Sequence, residues 1–465
     1  MITNTRRDFL KKLLLGSLAM GTTGFTELLG QDTKKSHKII RPRQGKSVMG
    51  LRCDPIPTVR IGVIGLRRGE GAVNRLAHIE GTHIVALCDL LPDRIERAKN
   101  RLKNAGRPEA FIYSASEDDW KKMCERDDID LIYNATPWDL HLPIAKYAME
   151  HGKHVAEEIP AALTVEECWT LVDTAEKRQR HCMMLENCCY DFFELTTLNM
   201  ARQNVFGEIY HGECAYIHDL RELKHDKNGY YKMWRLEYSK NHTGNPYPTH
   251  GLGPVAQIMG INRGDRLDYL TSMSTHQYGL TLYAENTFGK ESPEAKATYK
   301  LGDMNTTLVR TVNGKTIMIQ HDTTSPRPYD RIHKISGTKG YAVKYPEQKI
   351  ALEPQSHEFL NPEEFKAVME RYEHPLSKYI GEKAKAVGGH GGMDYIMDWR
   401  LIYCLRNGLP LDQNVYDAAT WSCIVELSEQ SVLNRSNALD VPDFTRGNWK
   451  NAKPWPVIDM VNVFS

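Results

Sequence analysis

The run Val59-Arg60-Ile61-Gly62-Val63-Ile64-Gly65 constrains this chain more than any other. It is short, apolar and stops at a glycine, as a strand buried on both faces of a parallel sheet does. A glycine-bearing turn over 66–71 and a helix over 72–79 are expected next. A second buried strand over 83–89 ends in an acid, and a helix over 92–102 follows it. The pattern continues with a strand over 131–135, a helix over 141–150 and a strand over 154–156 that runs into Glu157-Glu158. Strands alternating with helices predict an α/β unit, a doubly wound parallel sheet over 58–186.

Beyond residue 187 the rhythm changes to strands at longer spacing, over 208–216, 268–274, 297–301, 307–310 and 316–321, with few helices between them. A large, mostly antiparallel open sheet is expected there, in an α+β domain over 187–465 whose helical stretch 393–432 packs back on it. The total of 465 residues suits two such domains.

The N-terminus is of another kind. Arg6-Arg7 followed by Phe9-Leu10-Lys11-Lys12 and the apolar run 13–20 reads as a twin-arginine export signal over 1–31, and hence a periplasmic destination. The apolar run is too short to span a bilayer comfortably, so no membrane span is expected once the signal is removed. Residues 32–57, polar and basic with Pro42, Pro55 and Pro57, read as a linker or arm. Sixty basic against 59 acidic residues leave a formal charge of +1, which gives no field for nucleic acid and points to a small ligand. The ten cysteines form no C-x-x-C pair and no zinc-like cluster, so they read as buried small hydrophobes and no metal is expected, although the periplasm would permit a disulfide. The sequence leaves a homo-oligomer open.

A dinucleotide-binding (Rossmann) fold needs a tight turn after its first strand, so that the pyrophosphate rests on backbone N–H groups at a helix N-terminus. It also needs an acid about 20 residues later for a ribose hydroxyl. Gly65 ends the first strand and Asp89 falls 24 positions further on, at the end of the second. Arg67 stands where the second glycine of G-x-G-x-x-G would fall. Asp89 favours NAD over NADP by repelling a 2′-phosphate. Arg67 and Arg68 are open to three readings: pairing with the pyrophosphate, pairing with a 2′-phosphate, or solvation.

Asp89, Trp138-Asp139-Leu140-His141, Glu158-Ile159-Pro160 and Asn187, in that order, resemble the Gfo/Idh/MocA oxidoreductase superfamily. Dehydrogenases of that superfamily carry Glu-Lys-Pro where this chain has Glu158-Ile159-Pro160, so the lysine that assists hydroxyl deprotonation is missing. Three further segments, Asn187-Cys188-Cys189-Tyr190, Tyr247-Pro248-Thr249-His250-Gly251-Leu252-Gly253-Pro254 and 321–329, resemble glycoside hydrolase family 109, which includes NAD-dependent α-N-acetylgalactosaminidases. The resemblance implies hydrolysis of terminal α-N-acetylgalactosamine from a carbohydrate or glycoconjugate, through oxidation, elimination, addition and reduction with no net redox change. It implies NAD contacts from Arg67, Arg68, Asp89, Trp138, His141, Glu158, Ile159 and Asn187, and substrate contacts from Tyr216, Arg235, Tyr247, His250 and Tyr329. Tyrosines, an arginine and a histidine suit a sugar, since they offer hydroxyl donors and a flat apolar face.

His250 and Tyr247, on an expected loop, are the acid/base candidates; Glu158 is either a further base or a cofactor holder. Two other readings remain at this level. One is a periplasmic NAD-dependent sugar dehydrogenase whose cofactor exchanges; the other is a sugar-binding protein that keeps NAD as a structural element.

Overall fold

The computed structural model describes residues 41–355 and 357–453. The expected export signal at 1–31, and the expected linker up to residue 40, lie outside the described residues.

Two sheets organise the chain. The first contains β1 (Val59–Ile64), β2 (Thr82–Cys88), β3 (Phe111–Tyr113), β4 (Leu131–Asn134), β5 (His154–Glu157) and β6 (Cys182–Met184). Its order is β3-β2-β1-β4-β5-β6, and every pairing is parallel. This is the doubly wound order of a Rossmann sheet, in which ligands settle beyond the carboxyl ends of the strands where the order reverses, here between β1 and β4.

The second sheet contains β7 (Ile209–Ile217), β8 (Leu267–Ser274), β9 (Asn305–Thr311), β10 (Thr316–Asp322), β11 (Lys334–Gly337), β12 (Gly340–Val343), β13 (Lys349–Leu352) and β14 (Leu439–Asp440). Its order is β13-β12-β11-β7-β10-β9-β8-β14. Only β7 and β10 pair in parallel; the other pairings are antiparallel, so the sheet is mostly antiparallel as expected.

Three local expectations are corrected. No turn separates β1 from its helix, because the helix Leu66–Ala77 starts directly after Gly65. Gly65 makes this abrupt reversal at φ 84°, and a Cβ there would lie 2.5 Å from the carbonyl oxygen of Ala135. The helix has no N-cap side chain of its own; Asp89 at the end of β2 accepts from Leu66 N at 2.7 Å instead. The segment 297–301 is not a strand: Lys300 and Leu301 N–H both bond to the carbonyl of Ser239 rather than to a ladder. The strands of the second sheet are also separated by more helix than expected, including Trp234–Asn241, Thr249–Met259 and Gly279–Phe288.

The helical stretch near the C-terminus resolves into Met393–Arg406, Val415–Ser422 and Ile424–Leu433, and the last packs against β8. Residues 41–57 carry no helix or strand but are tied down: Val48 is buried and its N–H donates to the Tyr416 hydroxyl at 3.1 Å. One buried apolar cluster runs without a break from Val48 to Phe444 and includes residues of both sheets. All ten cysteines are free thiols and nine are buried. No helix among the described residues is long and apolar enough to cross a membrane.

Candidate functional site

A cavity of about 630 Å3 opens beyond the carboxyl ends of β1, β2 and β4 and continues to the face of β7. All thirteen residues singled out in the sequence line it: Arg67, Arg68, Asp89, Trp138, His141, Glu158, Ile159, Asn187, Tyr216, Arg235, Tyr247, His250 and Tyr329. Its volume lies within the roughly 300–1,000 Å3 usual for small-molecule and cofactor sites.

The nucleotide end is built by the start of the helix Leu66–Ala77. Gly65 leaves its mouth without a side chain, and the first-turn N–H groups of a helix have no helical acceptor, so the positive end of the helix faces the cavity. The Asp89 carboxylate also caps Leu91 N, at 2.9 Å, and so is fixed at the cavity wall. A helix N-terminus with no side chain at Gly65, capped only at Leu66 N by a fixed carboxylate, supplies the backbone donors and the acid that a pyrophosphate and a ribose hydroxyl need, so these residues fit a dinucleotide. Of the two arginines, Arg67 is engaged elsewhere: its Nε donates to Gly229 O at 2.6 Å and its guanidinium lies 4.6 Å from the Tyr230 ring centre. The side chain of Arg68 is exposed to the cavity.

Further along, Trp138 Nε1 donates to Ile159 O at 3.0 Å. His141 is buried, with Nδ1 2.7 Å from Pro160 O and Nε2 3.0 Å from Thr136 O, and burial lowers its pKa. Both of its nitrogens face backbone carbonyls, so it braces the cavity wall. Asn187 donates to Asp394 Oδ1 at 2.5 Å and is thereby oriented.

The far end is aromatic. The Tyr216 ring centre lies 4.5 Å from Tyr247, 5.5 Å from His250 and 6.1 Å from Tyr329. Arg235 sits 4.8 Å from the Tyr247 ring, 5.1 Å from Trp138 and 4.9 Å from Tyr230, a cation enclosed by aromatic faces. Burial pushes the Tyr247 and Tyr216 phenols above the ordinary tyrosine range, so both stay protonated at neutral pH.

His250 is not on a loop. It lies in the first turn of the buried helix Thr249–Met259, with Tyr247 just before that helix. The glycines of the motif explain the packing: a Cβ on Gly251 would lie 2.5 Å from Ala215 N of β7, and one on Gly253 would lie 2.7 Å from Glu186 Cγ. The helix therefore lies directly on β7, and this sets His250 beside Tyr216.

The fold also brings in residues that sequence reasoning passed over. His218, Tyr230, Trp234 and His390 line the same cavity, and a polar cavity of about 310 Å3 adjoins it, with Arg68, Glu158, Asn187, His250 and His390 in both linings. The aromatic run Tyr230-Tyr231 with Trp234 beside Arg235 was a visible signal for two of them. Glu186 is the other omission: its Oε1 lies 2.8 Å from His250 Nδ1. Among the described residues, Glu186, Cys188 and His250 form a group whose potential metal-ligand atoms lie within 4.8 Å of one another. Arg331 Nη1 donates to Cys188 Sγ at 3.0 Å, so a guanidinium already stands where a cation would have to approach.

Fold and cavity together define an NAD-binding protein of the Rossmann oxidoreductase type, and residues 59–186 match the family model for the oxidoreductase family, NAD-binding Rossmann fold. Residues 190–451 match the model for the glycosyl hydrolase 109 C-terminal domain. An alpha-N-acetylgalactosaminidase of Bacteroides fragilis is 57% identical over 407 residues, covering 87% of this chain and 96% of its own. A glycosyl hydrolase family 109 protein of Phocaeicola vulgatus is 56% identical over 408 residues, covering 87% and 98%. The chain belongs to glycosyl hydrolase family 109. Among solved structures, levoglucosan dehydrogenase in complex with NADH and L-sorbose superposes with a TM-score of 0.62 at 18% identity, over 83% of this chain and all of that one, a likeness of fold.

Proposed function

We propose that the protein hydrolyses terminal α-N-acetylgalactosamine residues, using NAD held at the Gly65–Asp89 end of the cavity and His250 and Tyr247 as acid/base groups at the other. The observation that carries this reading is the continuity of one cavity from the helix start at Leu66 to the cluster of Tyr216, Tyr247 and His250. Family membership and the alpha-N-acetylgalactosaminidase at 57% identity support the choice of sugar.

Arg68, Asp89, Trp138, Glu158, Ile159 and Asn187 hold the cofactor in this reading, with His141 bracing the wall. Bound there, NAD would take up hydride from a hydroxyl-bearing sugar carbon, the hydroxyl proton passing to solvent, and return it once water has added; the transient ketone would acidify the neighbouring C–H. His250 takes the proton from that neighbouring carbon. Tyr247, kept neutral by burial, donates to the departing glycosidic oxygen. Arg235 fixes the Tyr247 ring, while Tyr216 and Tyr329 flank the sugar. Ile159 stands where dehydrogenases of the superfamily place a lysine, which argues against simple hydroxyl oxidation as the end of the reaction. Arg6-Arg7 supports export by the twin-arginine pathway to the periplasm, which would carry a folded protein with its cofactor already bound.

The test is p-nitrophenyl α-N-acetylgalactosaminide hydrolysis by purified protein without added cofactor, alongside assay of NAD released on denaturation. The same activity is assayed in periplasmic and cytoplasmic fractions of the producing cell. Expected are nitrophenol release, about one NAD per chain, no free NADH, and activity in the periplasm. Accumulation of NADH from free sugars without glycoside cleavage would overturn the reading in favour of a dehydrogenase; activity confined to the cytoplasm would overturn the export proposal.

A further inference from the structure

We infer that Glu186 is the positioning residue of the site: its carboxylate fixes the tautomer and orientation of His250, so that Nε2 is the nitrogen that exchanges protons with substrate. The inference rests on the proposed role of His250 and adds to it the partner that makes the imidazole a directed base.

The geometry is specific. Glu186 lies just after β6, and its side chain is completely buried. Oε1 is 2.8 Å from His250 Nδ1 and also accepts from Cys188 N at 3.1 Å, which places the carboxylate at the start of the short turn Asn187–Tyr190. The Glu186 backbone is held as well, since its carbonyl accepts from Gln413 Nε2 at 3.0 Å. Burial by itself would push the Glu186 carboxyl up, yet the imidazole of His250 and the donors around it hold it below the usual carboxylate range. An ionised carboxylate only accepts, so Nδ1 carries the hydrogen, and in the neutral ring the lone pair is left on Nε2. Gly253 on the following turn leaves room for the Glu186 stem, as the 2.7 Å approach of a Cβ there to Glu186 Cγ shows.

The other charged or titratable groups around the pair are few. Tyr216 faces it from β7, His218 from the residue just after that strand, and Tyr247 from the chain before the helix. Glu158 and Arg68 share the cavity linings with His250, and Cys188 and Cys189 adjoin Glu186 on its own turn. None of these is in hydrogen-bond contact with His250 Nδ1 among the described residues, so Glu186 is the group that sets its tautomer.

A Glu186→Gln variant keeps the shape but offers an amide that can donate to Nδ1 and turn the imidazole to its other tautomer. The expected result is a fall in kcat of about 100-fold or more with KM changed by less than about threefold, since the loss falls on proton transfer rather than binding. Glu186→Asp, which restores the charge on a shorter stem, recovers part of the rate. Bound NAD per chain and melting temperature stay near wild type in a merely positional variant, and a misfolded one is recognised by their loss. Nitrogen-15 chemical shifts of the histidine ring, assigned with His250→Gln, read the tautomer without any turnover: the wild type shows Nδ1–H with a bare Nε2. Wild-type kcat in Glu186→Gln would overturn the inference, as would a bare Nδ1 in the wild-type spectrum. A wild type that cleaves no glycoside but shows the predicted tautomer would overturn the proposed function and leave the positioning intact.

Discussion

At the scale of single residues, Tyr247 shows how environment assigns a role. Its ring lies 4.8 Å from the Arg235 guanidinium, 5.9 Å from the Trp138 ring and 4.5 Å from Tyr216, and burial among these groups keeps its hydroxyl protonated. Tyr247→Phe keeps every ring contact and removes only that hydroxyl. The expected outcome is a loss in kcat of about 100- to 10,000-fold on an alkyl N-acetylgalactosaminide, whose leaving oxygen needs a proton. The loss should be at least tenfold smaller on the p-nitrophenyl glycoside, whose leaving group departs as a stable anion. Equal losses on both substrates would remove Tyr247 as the proton donor. Tyr247, His250, Tyr329 and Asn187 were legible in the sequence because they sit in short motifs, whereas Tyr216 and Arg235 came only with the family resemblance. Glu186 was not legible, since nothing in the order Leu185-Glu186-Asn187 distinguishes a buried partner of a histidine 64 residues away from an ordinary surface acid.

At the scale of elements, the decisive junction is β1 into the helix Leu66–Ala77. The sequence was legible here in kind: strand, glycine and distant acid were each in place. It was misread in detail, because Gly69 and Gly71 look like turn residues until the fold shows them inside a helix that is capped from β2 by Asp89 rather than by a residue of its own. Capping across a sheet leaves no local signature. The same limit hid the helix at His250, whose Gly251, Gly253 and Pro254 read as loop chemistry, whereas the two glycines serve close packing on β7 and against Glu186. Gly65→Ala tests the junction. The added Cβ meets Ala135 O at 2.5 Å while the residue is held at φ 84°, where a non-glycine residue costs about 1–2 kcal/mol before any clash. The expected outcome is a melting temperature lowered by several degrees and NAD per chain reduced well below one. An unchanged NAD content would mean that the helix start does not shape the nucleotide site.

At the scale of the whole molecule, the two sheets share one apolar cluster, so damage far from the cavity is felt throughout. Acid is one route to such damage. Burial lowers His181 and His333 to about 4 and His374 to about 3. His374 has a structural reason to stay neutral: its Nδ1 accepts from Leu376 N at 3.1 Å and caps the helix Pro375–Val387, which protonation would prevent. These groups are neutral when folded and take up protons when unfolded, near the ordinary histidine value of about 6.5. Stability is therefore undiminished above pH of about 6.5 and falls as the pH drops, by about 1.4 kcal/mol per unit for each group, down to its folded value. At pH 5 the burden from His374 alone is about 2 kcal/mol. Asparagine at this position still offers an acceptor to the helix N-terminus but does not titrate. His374→Asn should therefore gain about 2 kcal/mol on the wild type between pH 7.5 and pH 5, read from urea unfolding at both pH values. Parallel losses in the two proteins would show that His374 is not among the groups through which acid reaches the core.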